Sequence, residues 1–209
     1  RNHRHRRILM SASKLIGYAG RPISQRRDEL DSFRRLLRTH DVRAYLEIGA
    51  REGDTFHEVM LALEPGSRGI AVDLPGAKWG KSNSKHLLGR ALKDLNARGY
   101  EVRAIVGDSH DEKIIAEVRK HAPFDAVFID ADHSYSAVLR DWLAYGGLAP
   151  LVAFHDIDGF GMHTKDGSPV DVPELWGELE SRFESKRFVC AERGMGIGVL
   201  FVNEPKAKG

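Results

Sequence analysis

Tyr45-Leu46-Glu47-Ile48-Gly49-Ala50-Arg51-Glu52-Gly53-Asp54-Thr55 runs from an apolar stretch through a turn with two glycines into a segment of helical spacing. Buried parallel strands read as unbroken apolar runs, because helices cover both of their faces. Four later runs also stop at an acid: Gly69-Ile70-Ala71-Val72-Asp73, Ala104-Ile105-Val106-Gly107-Asp108, Ala126-Val127-Phe128-Ile129-Asp130 and Leu151-Val152-Ala153-Phe154-His155-Asp156. In open α/β sheets ligands bind outside the carboxyl ends of the strands. A row of acids at that edge therefore predicts a site.

Working outward, strands are expected near 43–48, 68–73, 101–106, 124–130 and 150–155, and helices near 54–63, 84–97, 111–121 and 135–145. Alternation of strand and helix predicts a parallel sheet with right-handed crossovers. Before the first strand, Ser24 is a candidate N-cap for an amphipathic helix carrying Leu30, Phe33, Leu36 and Leu37. After Asp156 a long glycine-containing loop reads as a candidate lid. A helix near 173–184 follows, then Arg187–Cys190 and Gly198–Val202 as an antiparallel hairpin around the turn Arg193-Gly194-Met195-Gly196. The expected fold class is α/β: a single Rossmann-like domain with a mostly parallel seven-stranded sheet, helices on both faces and a C-terminal antiparallel hairpin. Residues 1–40 read as a basic segment and helix, 41–203 as the domain and 204–209 as a tail.

The chain has 209 residues, 42% of them hydrophobic, enough for one substantial core. A single cysteine, Cys190, excludes an intramolecular disulfide framework. With no apolar run near the roughly 20 residues that span a bilayer, no membrane partner is expected and the cytoplasm is the default location. Net charge is +2, unevenly placed. Residues 1–40 carry eleven Lys and Arg against Asp28, Glu29 and Asp31, a net +8, and the remainder carries 21 basic against 27 acidic side chains, −6. Such a basic arm is either a solvated terminus or a contact for nucleic acid or an anionic surface, and the first reading is simpler.

Gly49 and Gly53 sit where backbone turns tightly or approaches a ligand. The dinucleotide fingerprint G-x-G-x-x-G is absent, since position 51 is arginine. Asp73 ends the second strand, where a carboxylate accepts hydrogen bonds from both hydroxyls of a ribose. Asp108, with Ser109 beside it, is suited to an adenine edge. Helix N-capping is the structural alternative for each acid.

On Glu47-x-Gly49-x-x-x-Gly53, Asp73 and Gly107-Asp108-Ser109, the chain resembles the class I S-adenosylmethionine-dependent methyltransferases over about residues 40–202. The resemblance implies that the glycine turn receives the methionine part of the cofactor, that Asp73 binds ribose and that Asp108 and Ser109 contact adenine; Glu47, Thr55 and Asp130 complete the implied cofactor set. Arg51 departs from the pattern, since many members have glycine there.

Phe124-Asp125-Ala126-Val127-Phe128-Ile129-Asp130-Ala131-Asp132-His133-Ser134-Tyr135 looks like the subfamily of cephalosporin-biosynthesis and sugar O-methyltransferases, and more distantly like the metal-dependent catechol-type enzymes. That likeness implies a divalent metal at Asp130, with Asp156 and His155 near the position where catechol-type enzymes carry an acid-amide pair. Carboxylates are the hard ligands Mg²⁺ prefers. His133 suits a general base near neutrality, and its alternative is a helix cap; Asp132 reads as an N-cap, and His155 alternatively as a hydrogen-bonding group of the sheet edge. Trp79, Lys81, His163 and Lys165 lie in loops on the expected substrate side, with Trp79 either stacking on an acceptor or covering the core. Trp142 and Trp176 read as core.

The expectation is an S-adenosylmethionine-dependent transferase acting on a hydroxyl of a sugar or other polyhydroxylated small molecule, assisted by Mg²⁺, with His133 and Asp130 catalytic. The alternatives are a catechol-like or natural-product hydroxyl as acceptor, and a non-catalytic module with a basic arm. A homodimer is compatible with the sequence, and nucleic acid is not the expected partner.

Overall fold

The computed structural model describes residues 16–18, 25–76, 84–164, 167–190 and 195–205. Its elements are α1 (Arg27–Thr39), β1 (Ala44–Ile48), α2 (Asp54–Met60), β2 (Arg68–Asp73), α3 (Ser84–Ala97), β3 (Glu101–Val106), α4 (Glu112–Arg119), β4 (Ala126–Ile129), α5 (Tyr135–Tyr145), β5 (Leu151–His155), α6 (Val172–Glu180), β6 (Phe183–Phe188) and β7 (Ile197–Pro205). One seven-stranded sheet has the order β3-β2-β1-β4-β5-β7-β6. The first five strands pair in parallel, β7 runs antiparallel to β5, and β6 runs antiparallel to β7.

Side chains alternate across each strand, and the core divides accordingly. Tyr45, Ala71, Phe128 and Ala153 face Leu30, Phe33 and Leu37 of α1, Phe56 and Met60 of α2 and Leu88 and Leu95 of α3. Leu46, Ile48, Val72, Val127, Ile129, Val152 and Phe154 face the other way, onto Val118 of α4, Val138 and Tyr145 of α5 and Trp176 of α6. Each fully buried side chain of this size contributes about 1.5–3 kcal/mol. β1 and β4 are central and buried throughout, whereas β3 is an edge strand that exposes Glu101, Arg103 and Val106.

Three boundaries differ from expectation. α6 ends at Glu180, and the residues read as its last turn begin β6 at Phe183. The Glu184, Lys186 and Arg187 side chains obscure this strand because it forms the solvent-facing edge of the sheet. β7 continues to Pro205, through the first two residues read as a tail. α1 begins at Arg27 with Arg26 in the N-cap position; the expected cap, Ser24, lies outside the described residues, as do Arg193 and Gly194 of the hairpin turn.

Candidate active site

The strand order reverses at β1, which lies between β2 and β4, so the turns after β1 and β4 open to opposite sides and leave a crevice between them. Gly49, with φ of 93°, follows β1 directly. A Cβ built there would meet the Asp130 carbonyl oxygen at 2.2 Å, so only glycine lets the first turn rest on the end of β4. The Asp130 N–H donates to the Ile48 carbonyl at 2.9 Å and completes that seam. Gly53, with φ of 81°, is the N-cap of α2, and a Cβ there would press on Leu88. Arg51 is left-handed as well, with φ of 49°. This backbone conformation is the physical reason glycine suits position 51, and an L side chain held there costs about 1–2 kcal/mol.

Asp73, at the end of β2, spends one oxygen on the Arg51 N–H at 2.8 Å. Its other oxygen, Oδ2, is buried and has no hydrogen-bond partner. Burial raises the Asp73 pKa, opposed by the Arg51 backbone and guanidinium. An orphaned carboxylate oxygen beside a glycine turn fits a diol such as a ribose. Asp108 closes its own turn by accepting from the His110 N–H at 2.9 Å, while Asp111 caps α4. The same loop is clamped from α5: Tyr145 donates to the Ser109 carbonyl at 2.6 Å, and His110 Nε2 lies 3.2 Å from Asp141, which is fully buried. Hydrogen bonding to Asp141 raises the His110 pKa, against the opposing effect of burial.

Glu47 points from β1 into the core beneath the turn and is 2% exposed. Tyr45 donates its hydroxyl to Glu47 at 2.6 Å. Burial pushes the Glu47 pKa up to about 8; the Tyr45 bond and the Phe56 N–H pull it down, while the Asp130 and Asp73 charges add to the rise. Burial therefore favours the neutral acid at Glu47, which lies beneath the turn expected to receive the cofactor.

At the ends of β4 and β5 four groups converge. His133 Nδ1 lies 2.8 Å from Asp156 Oδ2, and His155 Nδ1 lies 3.2 Å from both Asp130 Oδ1 and Asp156 Oδ1. Asp156 has φ of 63°, which turns its carboxylate back toward the two imidazoles. Burial works to lower the His133 pKa, but the Asp156 hydrogen bond and the Asp130 and Asp156 charges outweigh it and the net shift is upward. His155 is buried, which again opposes the charge, yet Asp130 and Asp156 drive its pKa up to about 9. Burial raises Asp156, and the two imidazoles bring it below the usual carboxylate range.

Asp130, His133 and Asp156 can each turn a ligand atom into a group spanning 4.8 Å. Two carboxylates and an imidazole fit a divalent cation. The expected ligand set contains His155; its Nδ1 lies 3.2 Å from both Asp130 Oδ1 and Asp156 Oδ1, while the group that can gather its ligand atoms round one point is Asp130, His133 and Asp156. Asp132, expected as an N-cap, instead accepts from the Ser134 N–H and hydroxyl at 2.8 and 2.7 Å and closes the turn before α5, whose N-cap is Ser134.

His163 is exposed and forms a bridge with Pro169 in the loop after β5. That loop returns to the cluster, since the Asp171 N–H donates to the His133 carbonyl at 2.8 Å. Trp79, Lys81 and Lys165 lie outside the described residues. Trp176 is core at 1% exposure, and Trp142 is half-buried against Phe154 and Phe183. Sequence reasoning missed Gln25, whose amide donates to Asp130 Oδ2 at 2.6 Å and accepts from the Thr55 hydroxyl at 2.6 Å. It also missed the Asp141–His110 pair. Neither position has a local signal, because each reaches its partner across the fold.

Residues 46–157, just over half of the chain, match a family profile described as a methyltransferase domain. No curated protein sequence matches the chain. Among solved structures it is similar to a candidate caffeoyl-CoA O-methyltransferase from Staphylococcus aureus, with TM-score 0.63 at 17% identity over 89% of this chain and 86% of that one. It is also similar to the O-methyltransferase TomG from Streptomyces achromogenes, involved in tomaymycin synthesis and solved with SAM (0.62, 19%, 83% and 78%). A third is an O-methyltransferase from Bacillus cereus solved with SAH (0.59, 18%, 82% and 80%). The family match, the doubly wound sheet and the open carboxylate beside the glycine turn agree: the chain belongs to the methyltransferase domain family and is a class I S-adenosylmethionine-dependent methyltransferase.

Proposed function

We propose that the chain methylates a hydroxyl of a sugar or another polyhydroxylated small molecule, with His133 as the general base. The observation that carries this reading is the His133–Asp156 pair at 2.8 Å. A carboxylate on Nδ1 orients the ring and stabilises the imidazolium that forms when Nε2 takes a proton. The cofactor supplies an activated methyl group on a sulfonium leaving group, so the protein has to align the acceptor and remove its proton. Gly49, Gly53 and Thr55 would hold the methionine part, Asp73 the ribose, and Asp108 and Ser109 the adenine. Asp130 lies against the Gly49 turn, and in this reading it would stand between the cofactor and the base.

Asp130 and Asp156 are the oxygens that would hold Mg²⁺; bound there, the ion would orient the acceptor and lower its hydroxyl pKa. A sugar is favoured by the subfamily resemblance and by the polar loop carrying His163, Thr164 and Ser168. Phe160 on the same loop, 63% exposed, favours a second reading, a phenolic or natural-product hydroxyl. The names of the structural neighbours point the same way.

Labelled S-adenosylmethionine offered with a panel of sugars and phenols tests the acceptor class: transfer to oxygen is expected, and transfer only to nitrogen or carbon acceptors overturns it. His133→Ala is expected to lower turnover by about 10²–10⁴-fold. Exhaustive chelation is expected to stop transfer until Mg²⁺ is restored; full activity in chelator removes the ion from the reading.

A further inference from the structure

Gln25 lies just before α1, 105 residues from Asp130 in sequence and 30 from Thr55, yet its amide sits between them and is 5% exposed. We infer that Gln25 is a positioning residue of the methyl-transfer site, its amide tying the Thr55 hydroxyl of the cofactor turn to the Asp130 carboxylate. The inference rests on the proposed function in taking Thr55 and Asp130 as site residues.

The amide orientation follows from chemistry. A carboxylate only accepts, so Nε2 faces Asp130, and the Thr55 hydroxyl donates to Oε1. Both contacts are 2.6 Å. Gln25 does not cap α1, whose N-cap is Arg26, so helix formation does not account for it. An apolar side chain would anchor α1 at lower desolvation cost, as Leu30, Phe33 and Leu37 do further along the helix. Polar burial is concentrated at the site end of this segment, where Glu29 is also buried and accepts from the Cys190 N–H at 3.2 Å.

With Gln25 on Oδ2 and His155 Nδ1 3.2 Å from Oδ1, both oxygens of Asp130 face nitrogen donors, and its carboxylate plane is fixed. Thr55 lies in the first turn of α2, two residues after Gly53. The amide therefore couples the height of the cofactor turn to the rotation of Asp130, two groups that must be in register for in-line transfer.

The test is S-adenosylmethionine affinity by titration calorimetry, which needs no acceptor and so stays informative if the proposed acceptor or base is wrong. Gln25→Ala is expected to weaken binding roughly 10-fold or more, the usual consequence of stranding a buried charged partner. Gln25→Met, which keeps the volume, is expected to do the same and serves if the alanine variant folds poorly. Gln25→Glu gives a signature that a packing role would not: ionised, it repels Asp130, and protonated, it donates as the amide does. Its affinity relative to wild type is expected to recover as pH falls from 8.5 to 6, with the melting temperature followed in parallel. Affinities of Gln25→Ala and Gln25→Met within twofold of wild type, or a Gln25→Glu ratio that is flat with pH, overturn the inference.

Discussion

Replacing Glu47 by glutamine exchanges an acid, held neutral by burial, for an amide of nearly the same shape. The folded carboxyl keeps its proton up to about 8, whereas its ordinary value is 4.5. Between those limits the folded state binds more protons than the unfolded chain, so wild-type stability falls as pH rises. At 1.36 kcal/mol per pH unit the full fall is about 5 kcal/mol, complete near pH 8. The glutamine has no such dependence. It carries a fixed cost instead, because the amide nitrogen brings two N–H groups where the neutral acid has a single O–H, and the second is buried against the donors Tyr45 and Phe56 N–H. Turning one donor against another costs about 1–3 kcal/mol. Glu47→Gln should therefore be less stable than wild type at pH 5, equal near pH 6 and more stable by about 2–4 kcal/mol at pH 8. His155 and the other titrating groups are common to both proteins and largely cancel in the difference. Urea unfolding of the cofactor-free protein at pH 5, 6, 7 and 8 measures it. Parallel stability curves for the two proteins would refute the reasoning, because Glu47 would then be ionised in the fold at neutral pH.

Three further outcomes follow from the geometry. Asp73→Asn keeps an acceptor for the Arg51 N–H but loses the charge on the unpartnered oxygen, and should raise the S-adenosylmethionine Kd roughly 10- to 100-fold; a twofold change or less removes Asp73 from the ribose site. Gly49→Ala combines positive φ with a methyl 2.2 Å from the Asp130 carbonyl oxygen and should cost about 3 kcal/mol or more in thermal unfolding; an unchanged melting temperature contradicts the seam between β1 and β4. In the protein free of Mg²⁺ the raised pKa of His133 places the limb of its titration, read by NMR, above the ordinary imidazole value. Asp156→Asn removes the charge that helps hold the proton and should move that limb to lower pH. A limb that does not move excludes His133 as the base oriented by Asp156.

The sequence by itself determined the parallel sheet and the edge that carries the site, because strands buried on both faces have no polar alternation and because each ends on an acid. It determined the glycine turn as well, since Gly49 and Gly53 answer to local backbone angles. It read β6 poorly, because an edge strand with a solvent face lacks the apolar run that marked the central strands. The row of acids looked uniform as sequence, and only the tertiary structure separated its members. Burial favours the neutral acid at Glu47 beneath the turn, Asp73 keeps an open oxygen, and Asp130 and Asp156 share the buried imidazole of His155. His155 lies between two carboxylates that hold its pKa up, and Gln25 ties α2 to the end of β4, for the same reason. Desolvation and charge pairing depend on distances across the fold between residues as many as 105 positions apart, and neither spacing nor composition encodes those distances.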